Sequence, residues 1–205
     1  MRVFLIHGMG RTKVSMALLG RRLSKAGHDV ASFGYFVLRD PLDVIAQKLV
    51  AFIEERRADA PYAVIGHSLG NIVTRIALPA LTGLEALIML APSNQSPIAA
   101  RTLRGNPLFH ALARDAGKKL LDEKFYAALP IPRVHTLVIA GTSGPKLAWL
   151  PFRGAPSDGI VRVEETRLPG VPHVEVPALH TFIMNDAAVC KLALKFLEER
   201  ARPAA

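Results

Sequence analysis

The sequence predicts a three-layer α/β/α sandwich built on a mainly parallel sheet of about six strands. Two observations carry the prediction. Runs rich in β-branched and apolar residues recur along the chain, with helix-period segments between several of them. Those runs are apolar throughout rather than alternating, as expected of strands buried on both faces of a parallel sheet. In such sheets ligands bind beyond the carboxyl ends of the strands. The residues just after each strand are therefore where function is sought.

Taken in order, the first strand is expected at 2–6, Arg2-Val3-Phe4-Leu5-Ile6. Met16, Leu19, Leu23 and Ala26 then fall at helical spacing, and Gly27 stops that helix. A second strand is expected at 29–33. Asp40-Pro41 reads as a helix N-cap followed by proline at the first helical position, with Leu42, Ile45, Ala46, Leu49 and Ile53 on one face. Further strands are expected at 62–66, 84–90, 134–140 and about 171–176. Asn185 or Asp186 caps a last helix whose face is Val189, Leu192, Ala193, Phe196 and Leu197. Residues 92–132 hold several prolines and no strand, and the stretch is too long for a plain connection. Two readings stay open for about 95–130: a lid-like insertion that walls the site, or a longer crossover helix with an irregular entry.

The chain of 205 residues, half of them hydrophobic and 21% charged, suits one domain over 1–205 with a sizeable core. Its apolar runs, such as 87–91 and 137–140, are too short to cross a bilayer, and no signal peptide precedes Val3, so a cytoplasmic location is expected. The single cysteine, Cys190, excludes an internal disulfide and a cysteine-based metal cage, and reads as a small hydrophobe on the last helix. The net charge of +9 attracts anions such as lipid head groups. The cations are dispersed as pairs (Arg21-Arg22, Arg56-Arg57, Lys118-Lys119) with no interleaved aromatics, which argues against a specific nucleic-acid site. The sequence does not set an oligomeric state.

The loops after the strands carry the chemistry. His7-Gly8-Met9-Gly10-Arg11-Thr12 follows the first. Gly66-His67-Ser68-Leu69-Gly70 stands between the third strand and a helical run. Ser157-Asp158-Gly159-Ile160-Val161 follows the fifth, and Leu179-His180-Thr181-Phe182 the last. A serine hydroxyl is a poor nucleophile near neutral pH. It needs a base within hydrogen-bonding reach, and the base needs an acid to fix its tautomer. Ser68, Asp158 and His180 supply these types in the chain order nucleophile, acid, base. The backbone N–H of Leu69, which follows the serine, and that of Met9 in the loop after the first strand are the expected oxyanion donors. Asp158 has rivals in Asp186, which reads as a helix cap, and Asp122; Asp-Gly is also a common turn. His7 is expected to support the oxyanion loop. His67, inside the elbow, and Asn71, in the next helix turn, are expected near the pocket. Trp149 reads either as lining the pocket mouth or as a loop anchor. His28, His110, His135 and His173 show no ligand spacing, so no metal is expected. Gly8-x-Gly10 fails as a dinucleotide fingerprint because Lys13 stands where the third glycine belongs.

Together HGMGRT, GHSLGN, SDGIV and LHTFIM resemble the oxyanion loop, nucleophile elbow, acid loop and histidine loop of the α/β-hydrolase superfamily. Within it the chain looks like the small bacterial lipases and esterases and the PGAP1-like lipid deacylases. The resemblance covers about residues 2–198, loosely over 95–130. It implies a minimal sheet that begins at the third strand of the full family sheet, with no large cap domain. It departs from the family at Asn71, where another glycine is common. The implied function is hydrolysis of carboxylic esters of small molecules or lipids through an acyl-serine, without a cofactor and with an anionic membrane surface as a possible partner. Other activities fit the same residues: an acyltransferase or thioesterase with this triad, or a non-enzymatic protein that binds lipid or an anionic surface.

Overall fold

The computed structural model describes residues 1–147 and 151–201. Six parallel strands form one open sheet in the order β2-β1-β3-β4-β5-β6. They are β1 (Arg2–Ile6), β2 (Asp29–Phe33), β3 (Tyr62–His67), β4 (Leu84–Leu90), β5 (His135–Gly141) and β6 (His173–Val176). The helices are α1 (Ala17–Lys25), α2 (Leu42–Arg57), α3 (Leu69–Ala77), α4 (Ile98–Thr102), α5 (Pro107–Leu120), α6 (Glu123–Ala128) and α7 (Ala187–Ala201).

The two-residue period of the strands sorts their side chains into two cores. Phe4, Ile6, Val64, Leu87 and Met89 face α2 and α3, meeting Ile45, Leu49, Ile53, Ile72 and Val73. Their neighbours Val3, Leu5, Ala63, Ile65 and Ile88 face the other way, against Leu19 and Leu23 of α1 and Val189, Ala193 and Leu197 of α7. All of these side chains are fully buried, and each large one contributes about 1.5–3 kcal/mol by leaving water. Cys190 lies in the second core. No helix among the described residues is long and apolar enough to cross a membrane.

One helix end decides between two expected caps and another differs from expectation. Asp186, not Asn185, caps α7: its Oδ1 accepts from the N–H groups of Ala188 and Val189. At α2 the N-cap position falls on Pro41, which is extended, and not on Asp40. Asp40 pairs instead with Lys48 at 2.6 Å. The free N–H of Leu42 is satisfied from another element, by Asp115 Oδ2 of α5 at 2.8 Å.

The stretch between β4 and β5 holds α4, α5 and α6 and no strand. Arg114 breaks α5 with φ 44° and ψ −124°, so its first two turns run at an angle to the rest. The stretch is tied down from below. The buried Arg75 of α3 donates to the carbonyls of Leu129 and Pro130 and to Asn94 Oδ1. Asn94 in turn donates to the Thr166 carbonyl. Buried Glu165 accepts from the N–H groups of Ile98 and Arg162. Three segments distant in sequence are thereby fixed behind one end of the sheet.

Candidate active site

β3 ends at His67 and α3 begins at Leu69, which leaves one residue to make the turn. That residue, Ser68, has φ 51° and ψ −120°, a conformation that side chains rarely adopt and that the surroundings must enforce. Glycines allow the turn by removing bulk. A Cβ on Gly70 would lie 2.6 Å from the carbonyl oxygens of both Ile6 and His7. A Cβ on Gly66 would lie 2.3 Å from Asn71 Oδ1. The Ser68 N–H donates to the Leu90 carbonyl at 3.0 Å, anchoring the turn to the end of β4.

The Ser68 hydroxyl is 2.9 Å from His180 Nε2, and His180 Nδ1 is 2.7 Å from Asp158 Oδ2. The other Asp158 oxygen accepts from the N–H groups of Ile160 and Val161, at 2.9 and 2.7 Å. Gly159 closes this turn at φ 96°. Asp158 is thus at once a turn residue and the partner of the histidine. The His180 N–H also donates to the Asp158 carbonyl, at 2.9 Å. His180 and Asp158 are both buried. The rival acids are spent elsewhere, Asp186 on α7 and Asp122 as the N-cap of α6.

His7 is buried and stacks on Tyr35, with ring centroids 4.3 Å apart. The Tyr35 N–H must donate to His7 Nε2, at 3.2 Å. The ring proton therefore resides on Nδ1, which donates to the Gly8 carbonyl at 2.8 Å. Burial lowers the His7 pKa, consistent with a neutral ring. The Met9 N–H belongs to the same planar trans peptide as the Gly8 carbonyl, so it points away from His7. Gly8 itself packs on the elbow: a Cβ there would meet Ser68 Cβ at 3.0 Å.

His67 lies beneath His180, its Nε2 donating to the His180 carbonyl at 3.0 Å. Burial pushes its pKa down to about 3. The ring is neutral when folded and takes up a proton near pH 6.5 when unfolded. Between those values the unfolded state binds more protons, so stability falls as pH falls. The expected slope from this residue is about 1.4 kcal/mol per pH unit below pH 6.5. Urea unfolding between pH 7 and pH 4 should show His67→Gln losing less stability than the parent by that slope. Parallel curves would mean that His67 is not held neutral.

A cavity of about 590 Å³ opens beside the loop 7–12 that follows β1. His7, Gly8 and Met9 form one wall, Tyr35 to Leu38 another, and Leu108, Phe109 and Leu112 of α5 a third. His7 lines it. Asn71 does not: its Nδ2 donates to the Leu90 carbonyl at 3.1 Å, behind the elbow. His67 is likewise beneath the site rather than on the cavity wall. Trp149 lies outside the described residues. The sequence reading missed the wall 35–38, although Tyr35-Phe36-Val37-Leu38 is an apolar run directly after a strand. It also missed the Arg75, Asn94 and Glu165 struts. Among the described residues no three His, Cys, Asp or Glu side chains gather as a metal site.

No protein-family model matches the chain, and no curated protein matches it in sequence. Solved structures do. Lipase BlEst2 of Bacillus licheniformis in its mature form superposes with a TM-score of 0.75 at 17% identity, over 96% of this chain and 91% of that one. Phospholipase PlaB of Legionella pneumophila gives 0.72 at 18% identity, over 97% of this chain but only 59% of that one. The metagenomic carboxyl esterase MGS0156 gives 0.71 at 16% identity, over 98% and 76%. The fold is that of the α/β-hydrolases.

Proposed function

We propose that the chain is a serine hydrolase that cleaves carboxylic esters through an acyl-serine intermediate. The observation that carries this reading is the unbroken chain from the Ser68 hydroxyl to His180 to Asp158, at 2.9 and 2.7 Å, on the strained turn at the end of β3. His180 Nε2 takes the hydroxyl proton as Ser68 Oγ bonds to the ester carbonyl carbon. Asp158 holds the His180 proton on Nδ1, leaving Nε2 free to accept. The carbonyl oxygen becomes an oxyanion, received by the N–H groups of Leu69 and Met9. Leu69 opens α3, where backbone donors lack helical partners and the helix dipole favours negative charge. His7 supports the second donor by fixing the Gly8–Met9 peptide. The proton on His180 then passes to the departing alkoxide, and water repeats the sequence to free the acid. The apolar cavity next to Met9 suits an acyl chain. The esterase and lipase structures that share the fold are in keeping with this chemistry.

A fluorophosphonate probe tests it. Rapid modification at one site, mapped to Ser68 and absent in Ser68→Ala and His180→Ala, is the expected result. A folded protein that resists the probe would sink the reading.

A further inference from the structure

We propose that the site selects esters that join an apolar acyl chain to an oxyanion group, phosphate or carboxylate, and that Arg11 is the residue that contacts this anion. The inference rests on the ester-hydrolase reading and adds a substrate class to it. Among the residues lining the cavity, Arg11 alone carries a fixed charge, and no carboxylate lines it. Everything beyond Arg11 and a few polar groups is apolar, with Phe36, Leu38, Leu103, Leu108 and Leu112 partly exposed at the rim. A guanidinium that lines an apolar cavity with no carboxylate in reach is free to pair with an anion on the ligand. Among the described residues Arg11 has no ion pair and no side-chain hydrogen bond. The undescribed segments, 148–150 and 202–205, contain no acidic side chain.

Arg11 is also close to the reacting groups. It is two residues from Met9 in the loop that crosses Ser68, and its charge is one of those that disfavour a proton on buried His67. The neighbouring mouth segments strengthen the field. Lys13, Arg39, Arg104 and Arg114 stand in them against two acids, Asp40, which is tied to Lys48, and Asp115, which is tied to Lys119 and the Leu42 N–H. Low-dielectric walls focus such a field on the cleft. The guanidinium fork matches phosphate and carboxylate oxygens in pairs, which makes Arg11 a contact and not only a source of potential. A purely apolar ester would leave this charge without a partner.

The test compares four esters of one acyl chain below their critical micelle concentrations. Monoacylglycerol is neutral, lysophosphatidylcholine zwitterionic, lysophosphatidylglycerol a phosphate anion, and the acyl ester of 3-hydroxypropanoate a carboxylate anion. At least one of the two anions should exceed monoacylglycerol in kcat/KM by about tenfold, mostly through KM; which of them does so identifies the anion. Arg11→Gln should bring that ratio close to one, and Arg11→Lys should restore part of it. Arg133→Gln removes the same charge at the opposite end of the sheet and should leave the ratio unchanged. Equal use of neutral and anionic esters, or an Arg11→Gln variant that keeps the ratio, would overturn the inference and leave the hydrolase reading intact. The same loss in Arg133→Gln would assign the preference to net charge and overturn it too. No turnover of any ester, together with no probe labelling, would overturn both.

Discussion

Asp158→Asn should lower kcat by about four orders of magnitude with little change in stability. The geometry dictates how. One oxygen of Asp158 accepts two backbone N–H groups, from Ile160 and Val161, while the other faces His180 Nδ1. An asparagine amide must turn its carbonyl oxygen toward the two N–H donors, because its NH2 cannot accept from them. Its NH2 then faces Nδ1, which becomes an acceptor, and the ring proton moves to Nε2. The ring now presents a proton to Ser68 instead of a lone pair. The variant should still melt near the parent temperature, since the loop hydrogen bonds survive. Steady-state kinetics on any ester the parent cleaves, beside a thermal melt, would check it. A variant retaining a tenth of parental kcat would remove Asp158 from the acid role.

Gly70→Ala should cost about 3 kcal/mol, lowering the melting temperature by roughly 6–12 °C. Its Cβ would stand 2.6 Å from two carbonyl oxygens of the β1 end, and backbone cannot swing aside as a flexible side chain can. α3 or the oxyanion loop must shift, so activity should fall with stability. Gly105→Ala is the matched control, because a Cβ there meets nothing within 4 Å; it should stay within about 0.5 kcal/mol of the parent. Equal melting of the two variants would mean that the close approach of α3 to β1 is not a constraint.

Much of this architecture was legible because it is local. Short, uniformly apolar, β-branched runs such as Tyr62 to Ile65, recurring between helix-period segments, fit strands covered on both faces, and a parallel sheet puts the loops after its strands at one end. That logic assembled the elbow, acid and histidine loops from residues more than a hundred positions apart. The unread parts depend on tertiary partners. Asp40-Pro41 has the local signature of a cap, but Asp115 of α5 satisfies the Leu42 N–H instead, and no window around residue 41 contains that information. Asn71 stands one turn from Ser68, yet the Leu90 carbonyl draws its side chain behind the elbow. Arg75 reads as a surface cation on α3. The carbonyls of Leu129 and Pro130 and the Asn94 side chain, from distant loops, make a buried position tolerable for it.

The order of the reacting groups along the chain has a consequence for biosynthesis. Ser68 is made early and follows β3, a strand in the interior of the sheet, whereas His180 follows β6, the last strand and a sheet edge. A ribosome-bound chain holding only the first four strands carries the hydroxyl but neither its base nor its acid. Under the proposed mechanism, reactivity would switch on only when β5 and β6 have docked and the C-terminal third is in place. On that mechanism a nascent or truncated chain should be chemically silent, and acquisition of probe reactivity during refolding would report completion of the sheet rather than its initiation.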